Sequence, residues 1–445
     1  MIAIAGVIGA GLFVGSGAAI GTSGPGVLVS YAATGLVVVL VMRMLGEMSA
    51  ANPDTGSFSA YAERALGPWA GFSIGWLYWW FWVVVVGVEA TAGAAIVHRW
   101  VPAVPQWVWA LVLMALLTLT NLYSVRSYGE FEFWFAGIKV AAITVFLVVG
   151  VLAIAGLLPG AHAPGLANLT GHGGFFPHGP GPIFSAMLVV VFSFFGAEIA
   201  TVAAGESDDP VHAVRAAVRS VVGRILVFYI GSIAVVVTLI PWNDASVAKS
   251  PYVAVLDTIG LPGAAGVMDA VVVTSVLSCL NSGLFTASRM AFSLARRGEA
   301  PRPLGKVSRR GVPISAVLVS TVVGFVTVIL NYLSPDTVFL FLVNSSGAVA
   351  VFVWLAIAFS QLRMRRRLER ENPEKLTLRM WGYPYLTWAT IVAMAALLIG
   401  MLIDPEARTQ LLLSLLVAAI VVVISLARGR RRVPAELQAE RVTDV

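Results

Sequence analysis

The chain has 445 residues, of which 58% are hydrophobic and 12% charged, whereas soluble domains average about 45 to 50% apolar and about 25% charged residues. This composition excludes an ordinary soluble domain and indicates a protein that crosses a membrane several times. The single cysteine, Cys279, excludes internal disulfides and a cysteine-based metal cluster.

Twelve apolar stretches follow one another along the chain, each close to the length of about 20 residues that crosses a bilayer. They predict an all-α integral membrane protein with twelve transmembrane helices, here called spans one to twelve. In chain order the spans cover residues 2–21, 26–46, 70–97, 106–124, 133–157, 182–203, 219–240, 264–290, 313–332, 337–361, 382–402 and 409–427.

The basic residues are divided unevenly between the two sides of the predicted membrane. Of the 29 lysines and arginines, 25 lie on the side that holds both chain ends, Lys139 lies within a span, and Arg99, Lys249 and Arg408 lie on the other side. Since positively charged loops stay in the cytoplasm, both termini are expected there. The basic runs 363–370 and 428–432 then act as topology signals and contact lipid headgroups. No nucleic-acid partner is expected.

The start of the chain carries no basic residue before span one. A secretory signal peptide begins with a positively charged region, so this interpretation is excluded. We expect instead that a cytoplasmic N-terminal tail is missing because of a misplaced start.

Span one is unusually rich in glycine, which supplies five of the twelve positions from Gly6 to Gly17. Glycine in a helix interior costs roughly 1 kcal/mol relative to alanine. The pattern predicts a helix broken at Gly9–Gly11 that lines a cavity, with backbone amides at the positive end of a half-helix that could bind a carboxylate. The alternative is that the glycines only allow neighbouring helices to pack closely.

Span six contains a second unusual segment, Ser193–Glu198, in which Gly196 lies beside polar groups in the middle of the membrane. It follows span one by five spans, so copies related by that offset run in opposite directions. Paired interrupted helices of this kind point to a transporter's binding site. The chain is therefore predicted to form one membrane domain with inverted repeats at 1–157 and 182–361, accessory helices at 382–427 and a cytoplasmic tail at 428–445.

Lys139 lies about nine residues into span five from Glu130 and Glu132, a depth of roughly 13 Å. A lysine at that depth costs about 2.5 to 3.5 kcal/mol on insertion scales and exceeds the reach of snorkelling to the surface. We expect it to gain and lose a proton and to donate to carbonyl groups freed in span one. Its ammonium would then do the job that a sodium ion does in other transporters.

Glu89 in span three and Glu198 in span six are further ionisable residues that must face protein or water. Glu89 is predicted to pair with a substrate ammonium, with a protonated structural acceptor as the alternative. Glu198 is a candidate for proton coupling, or satisfies amides freed by the break. The aromatic residues between Trp76 and Trp82 are predicted mainly as an interfacial belt, with one ring walling the cavity.

Other polar positions are less specific. Asn281, Ser282 and the run Asn344–Ser346 either line a pathway or bond neighbouring helices. His162, His172 and His178 share a Gly/Pro-rich loop without metal-ligand spacing, so neither a metal nor another cofactor is expected. No nucleotide-binding loop is present, so ATP-driven transport has no support.

Nearly the whole chain resembles the amino acid permeases of the amino acid, polyamine and organocation superfamily, most closely the bacterial permeases for 4-aminobutyrate (GABA). The resemblance rests on motifs in all parts of the chain, which are the glycine-rich stretch Gly6–Gly17, Met42–Met48, Asn52–Phe58, Gly75–Trp82, Gly129–Trp134, Phe192–Glu198, Leu239–Asn243, and Cys279–Ser282 through Arg296–Pro301. Asn344 departs from the acid that GABA permeases often have there, which leaves the exact substrate open.

The resemblance implies a fold of the leucine-transporter type, with broken helices one and six and a 5+5 inverted repeat, in the bacterial cytoplasmic membrane. By position, the amides of Ile8, Gly9, Ala10 and Gly11 would take the substrate carboxylate. Carbonyls near Phe192, Ser193 and Phe195, at the break beside Gly196, would meet the amine. Lys139 matches the family's span-five lysine, and Glu89 and Glu198 match acidic positions that affect binding or coupling.

The sequence therefore predicts a proton-coupled importer of GABA or a similar zwitterion that works by alternating access and is not an enzyme. Alternatives within the class are permeases for proline, aromatic or other amino acids. A transport-inactive amino-acid receptor is the alternative from another class. An intramembrane hydrolase is disfavoured because no deep histidine could serve as its base.

Overall fold

The computed structural model describes residues 7–53, 57–123, 126–158, 165–199 and 209–440, and within these ranges the regular structure is helical. A π-helical turn, Gly11–Gly15, continues into the α-helix Ser16–Ser23, and the two together are α1. The other helices are α2 (Val27–Ala51), α3 (Ser57–Leu66), α4 (Pro68–Trp100), α5 (Gln106–Tyr123), α6 (Arg126–Ile154), α7 (Ala167–Thr170), α8 (Pro182–Phe194), α9 (Pro210–Leu239), α10 (Ala245–Lys249), α11 (Pro251–Ile259), α12 (Ala264–Arg296), α13 (Ile314–Leu333), α14 (Pro335–Glu371), α15 (Tyr385–Ile403) and α16 (Pro405–Glu440).

Nine helical stretches in the described ranges are long and apolar enough to cross a membrane, and one of them, Gly11–Ala51, contains both α1 and α2. Two shorter apolar helices, Pro182–Phe194 and Leu226–Leu239, correspond to spans six and seven. Every predicted span thus has a helical counterpart in the described residues. The count of twelve crossings stays a prediction, because the helices of spans six and seven are too short by this measure and spans one and two form one stretch.

Helix α4 lies at the centre of the molecule and packs along α12. Its valines Val83, Val86 and Val88 are fully buried. Helices α5, α6 and α16 instead keep large apolar side chains exposed, among them Leu119, Val145 and Val423. Such a surface is unfavourable in water but suits contact with lipid hydrocarbon, so these helices form the periphery.

Several helices continue beyond the predicted spans. Helix α14 extends ten residues past residue 361, and α16 continues to Glu440, so the predicted tail 428–445 begins inside a helix. Hydropathy marks only the part of a helix that lies in hydrocarbon, whereas charged residues such as arginine and glutamate extend helices readily in water. Residues 441–445 of the predicted tail lie outside the described residues.

One arginine of the run 363–370 is misassigned by the sequence. Arg365, predicted as a topology signal or headgroup contact, is buried, and its guanidinium lies 2.6 Å from Oε2 of the buried Glu47. Gln361 donates to the other oxygen of the same carboxylate at 2.8 Å. The pair joins α14 to α2 over 318 residues of sequence, a contact that local charge patterns do not reveal.

Candidate functional site

The predicted interruption of span six lies just after α8. The helix ends at Phe194 because Phe195 takes an extended conformation, with φ −67° and ψ 143°. Gly196 follows at φ 105°, a left-handed value that favours glycine, and the turn runs on to Glu198. A half-helix therefore ends in the interior of the molecule, where the chain must satisfy its own backbone groups.

The predicted interruption of span one lies close to that of span six, just before α1. Val7 to Gly9 are non-helical, and the helical state begins at Ala10. The amides of Leu12 and Phe13 both donate to the Gly9 carbonyl, each at 3.2 Å, where the chain enters its π-helical turn. The part of span one at residues 1–6 lies outside the described residues.

A small cavity lies between the two interruptions. It brings together five of the predicted substrate-binding residues, which are Gly11, Glu89, Phe192, Ser193 and Phe195. The remaining lining residues are Val7, Phe81, Trp82, Val85 and Cys279. Four other predicted residues, Ile8, Gly9, Ala10 and Gly196, lie in the interrupted segments beside the cavity without lining it.

The carboxylate of Glu89 is bound by the amide predicted to take a substrate carboxylate. The Ala10 N–H donates to both Glu89 oxygens, at 3.1 and 3.0 Å, and Glu89 is buried. This contact needs Gly9, since a Cβ there would lie 2.5 Å from Glu89 Oε1 and 2.8 Å from the Cys279 side chain. The start of α1 thus binds a carboxylate, and in this structure that carboxylate belongs to the protein.

The glycines of span one also permit close packing, as the alternative interpretation holds. A Cβ on Gly11 would lie 2.8 Å from Ser193 Oγ and 2.9 Å from its Cα, so the two interrupted segments touch at this point. A Cβ on Gly17 would lie 2.5 Å from the Val247 carbonyl oxygen in α10. Interruption and close packing therefore occur in one stretch, at different glycines.

Glu198 accepts hydrogen bonds at the interruption of span six. The Gly196 N–H donates to both Glu198 oxygens, at 3.1 and 3.0 Å, and the side chain is buried. This geometry matches the interpretation that the carboxyl satisfies an amide freed by the break. Its involvement in proton coupling stays a prediction.

Lys139 is fully buried on α6 and does not face lipid. It interacts electrostatically with Glu89 from α4, Cys279 from α12 and Glu132 from its own helix. A buried ammonium requires such partners, because an uncompensated charge in a medium of low dielectric constant is very costly. Its predicted hydrogen bonds to carbonyls of span one stay a prediction.

The aromatic run at the start of α4 contributes more to the cavity than the sequence indicates. Tyr78, Phe81 and Trp82 are buried, so the prediction of an interfacial belt is wrong for them. Phe81 and Trp82 line the cavity, and the ring centroids of Phe81 and Phe195 are 4.0 Å apart. Position along a span does not reveal this packing, because other helices cover these rings.

Tyr229 on α9 is a site residue that sequence reasoning missed. Its hydroxyl lies 3.0 Å from the Val7 carbonyl oxygen and 2.8 Å from the Ser193 carbonyl oxygen, so it can donate to either. It therefore connects both interrupted segments. A tyrosine within an apolar span carries no local signal for this role.

Among the less specific polar residues, Asn281 accepts a hydrogen bond from Asn121 at 2.8 Å, which joins α12 to α5. Ser345 and Ser346 donate to carbonyls within their own helix. Asn281 thus follows the interpretation of bonds between neighbouring helices, whereas the hydroxyls of Ser345 and Ser346 bond within their own helix, which neither interpretation proposed. Ser282 instead donates to Glu132, a buried residue that the sequence places outside the membrane.

Comparison with known proteins assigns the family. The model of the family described as amino acid permease matches residues 1–438. The chain belongs to the amino acid permease family. A gamma-aminobutyric acid permease of Bacillus subtilis is 55% identical to this permease over 443 residues, covering 100% of this chain and 94% of the relative. A gamma-aminobutyric acid permease of Escherichia coli is 52% identical, covering 93% of this chain and 88% of the relative.

The fold of this permease is also found in a distant solved structure. A mutant of the manganese transporter of Eremococcus coleocola superposes with a TM-score of 0.58 at 13% identity, covering 96% of this chain and 91% of the other. At that identity the likeness concerns the fold alone. The predicted class, an all-helical membrane protein of the leucine-transporter type, is confirmed.

Proposed function

We propose that this permease imports GABA or a similar zwitterionic amino acid, coupled to protons, by alternating access. The observation that carries the proposal is the carboxylate bound by the Ala10 amide beside a cavity between two interrupted helices. The names of the 55% and 52% identical relatives support GABA as the substrate.

Substrate binding follows from the contacts of Glu89. The substrate carboxylate takes the amides of the segment Ile8–Gly11 and displaces Glu89 from Ala10. Glu89 then pairs with the substrate ammonium. Carbonyls at Phe192, Ser193 and Phe195, beside the turn at Gly196, meet the same ammonium, since a carbonyl oxygen accepts two hydrogen bonds.

Proton coupling is assigned to Lys139, with Glu198 as a second coupling group. Substrate and proton enter from the outside, the helices close over the cavity, and Lys139 loses its proton towards the cytoplasm. This loss loosens the inner half of span one and opens the inner side. The distribution of 25 of 29 basic residues supports an orientation with both termini in the cytoplasm.

The test is uptake of labelled GABA into proteoliposomes with and without an inward proton gradient. The wild type accumulates label only with the gradient. Lys139→Ala abolishes that accumulation and leaves some exchange, whereas Lys249→Ala, which changes an exposed lysine at the end of α10, leaves both unchanged. Unchanged accumulation in Lys139→Ala would remove this residue from the mechanism.

Competition by unlabelled amino acids distinguishes GABA from the alternative substrates. A panel of unlabelled proline, aromatic and other amino acids identifies the substrate by the compound that reduces GABA uptake most, and GABA is expected to compete best. Saturable GABA binding without transport would indicate a transport-inactive receptor and contradict the proposal.

A further inference from the structure

Glu132 is a buried carboxylate that the proposed cycle does not yet use. The sequence places it outside the membrane, one residue before span five. In the structure it is fully buried near the start of α6 and lies against α12. A buried carboxylate is costly unless it is hydrogen-bonded, paired with a charge or protonated, so its surroundings indicate what it does.

The two oxygens of Glu132 have different surroundings. Oε1 accepts from Ser278 Oγ at 2.5 Å and from Ser282 Oγ at 2.8 Å, and these serines are one turn apart on α12. Oε2 is buried and has no hydrogen-bond partner among the described residues. One oxygen therefore holds the carboxylate in place, and the other is left to accept a proton.

Glu132 and Lys139 lie on one face of the same helix. They are seven residues, or about two turns, apart, which separates them by about 10 Å along the axis. The two side chains interact electrostatically. Glu132 is nearer the end of α6 that starts at Arg126, which is the cytoplasmic end in the proposed orientation.

The other titratable groups near this pair belong to α4 and to the helices packed around α6. Helix α12 contributes Cys279, next to Ser278, and α4 contributes Glu89. Helix α9 contributes Tyr229, whose hydroxyl can donate to a carbonyl at either interruption, and α11 contributes Tyr252, whose hydroxyl lies 2.7 Å from Ser232 Oγ. Of these, Cys279 interacts electrostatically with Glu132, Glu89 and Lys139.

We propose that Glu132 receives the proton that Lys139 releases and passes it to the cytoplasm. The Lys139 ammonium loses one proton and becomes a neutral amine, and the Glu132 carboxylate gains that proton at Oε2 and becomes a neutral acid. Water that enters as the inner side opens carries the proton across the gap and then accepts it from Glu132. This inference rests on the proposed proton coupling and orientation.

The test separates proton transfer from a structural role with two opposite variants. Glu132→Gln keeps an oxygen that accepts from both serines but cannot take up a proton. The double variant Ser278→Ala, Ser282→Ala keeps the carboxylate and removes its link to α12. Each variant and the wild type are reconstituted into separate proteoliposomes. Labelled GABA is then followed in gradient-driven accumulation and in exchange at equal pH on both sides.

We expect accumulation by Glu132→Gln to fall at least tenfold, with exchange within twofold of the wild type. In the double serine variant, gradient-driven accumulation falls less than in Glu132→Gln, because the carboxylate is held less firmly but can still take up a proton. Glu132→Asp, which also keeps a carboxylate, accumulates more GABA than Glu132→Gln.

The inference is overturned if Glu132→Gln accumulates GABA like the wild type, or if it loses exchange and accumulation together. It is also overturned if only the double serine variant is impaired, which would indicate a purely structural link. Failure of the wild type to respond to the proton gradient would instead contradict the proposed function, so the two failures are distinguishable.

Discussion

In both interrupted segments a buried carboxylate accepts from a freed backbone N–H, but the two carboxylates come from different parts of the chain. In each, one backbone N–H donates to both oxygens of a buried glutamate, at 3.1 and 3.0 Å. Glu198 is only two residues from Gly196, whereas Glu89 is 79 residues from Ala10 and belongs to another helix. The first bond must break when α1 and α4 separate, while the second moves with its own segment.

Under the proposed alternating access, this difference distinguishes the interruption that moves from the one that keeps its shape. In the proposed binding mode, a substrate carboxylate replaces Glu89 at the Ala10 amide, and this replacement breaks a link between two separate helices. The turn at Gly196 carries its own acceptor and can keep its shape while the helices around it move. We therefore expect changes at the first interruption to have larger effects than equivalent changes at the second.

The largest effect is expected for Gly9→Ala. Its Cβ would lie 2.5 Å from Glu89 Oε1 and 2.8 Å from Cys279 Cβ, so the Ala10–Glu89 link cannot form unless Glu89 moves and α1 shifts away from α12. We expect initial GABA uptake to fall by about 100-fold, equivalent to about 2.7 kcal/mol. Gly21→Ala is the control, since a Cβ there meets no atom within 4 Å. Similar uptake by both variants would contradict the proposed contact.

Glu89→Gln is expected to have the next largest effect. It removes the negative charge and one of the two oxygens that accept from Ala10. Hydrogen bonds to charged groups contribute about 1.5 to 3 kcal/mol, so uptake efficiency should fall by at least about tenfold, mainly through weaker apparent affinity. Glu371→Gln, which changes an exposed residue paired with Arg367, is the control. Wild-type affinity in Glu89→Gln would assign Glu89 a structural role.

Tyr229→Phe tests the connection between the two segments. Loss of the hydroxyl leaves the buried carbonyls of Val7 and Ser193 without this donor, at a cost of about 1 to 3 kcal/mol. We expect a lower midpoint of thermal unfolding in detergent and an uptake rate reduced about fivefold. Tyr385→Phe changes a tyrosine that is 82% exposed and should alter neither quantity. An unchanged midpoint in Tyr229→Phe would show that the hydroxyl does not support the site.

Glu198→Gln should have the smallest effect, because its carbonyl oxygen still accepts from Gly196. If Glu198 takes part in coupling, gradient-driven accumulation falls about threefold, or about 0.7 kcal/mol, while exchange is unchanged. Glu198→Leu removes the acceptor and should impair both. An equal change of accumulation and exchange in Glu198→Gln would exclude a coupling role and leave only satisfaction of the amide.

Much of the fold could be predicted because lipid imposes strong local rules. Apolar runs located a helical counterpart of every span in the described residues, and Gly196 marked an interruption because its positive φ disfavours other residues. The site was predicted in part, since Glu89 and Lys139 were recognised from the cost of burying charge. Glu132 was missed because it lies at the edge of an apolar run.

The sequence by itself determined the membrane class, the approximate helix positions and the intramembrane ionisable residues, because hydropathy and charge burial are properties of single segments. Only the tertiary structure decided that Glu89 meets the Ala10 amide, that Tyr229 joins two interruptions, and that Arg365 pairs with Glu47. These contacts join residues 36 to 318 positions apart, and they depend on how helices pack, which no local pattern encodes.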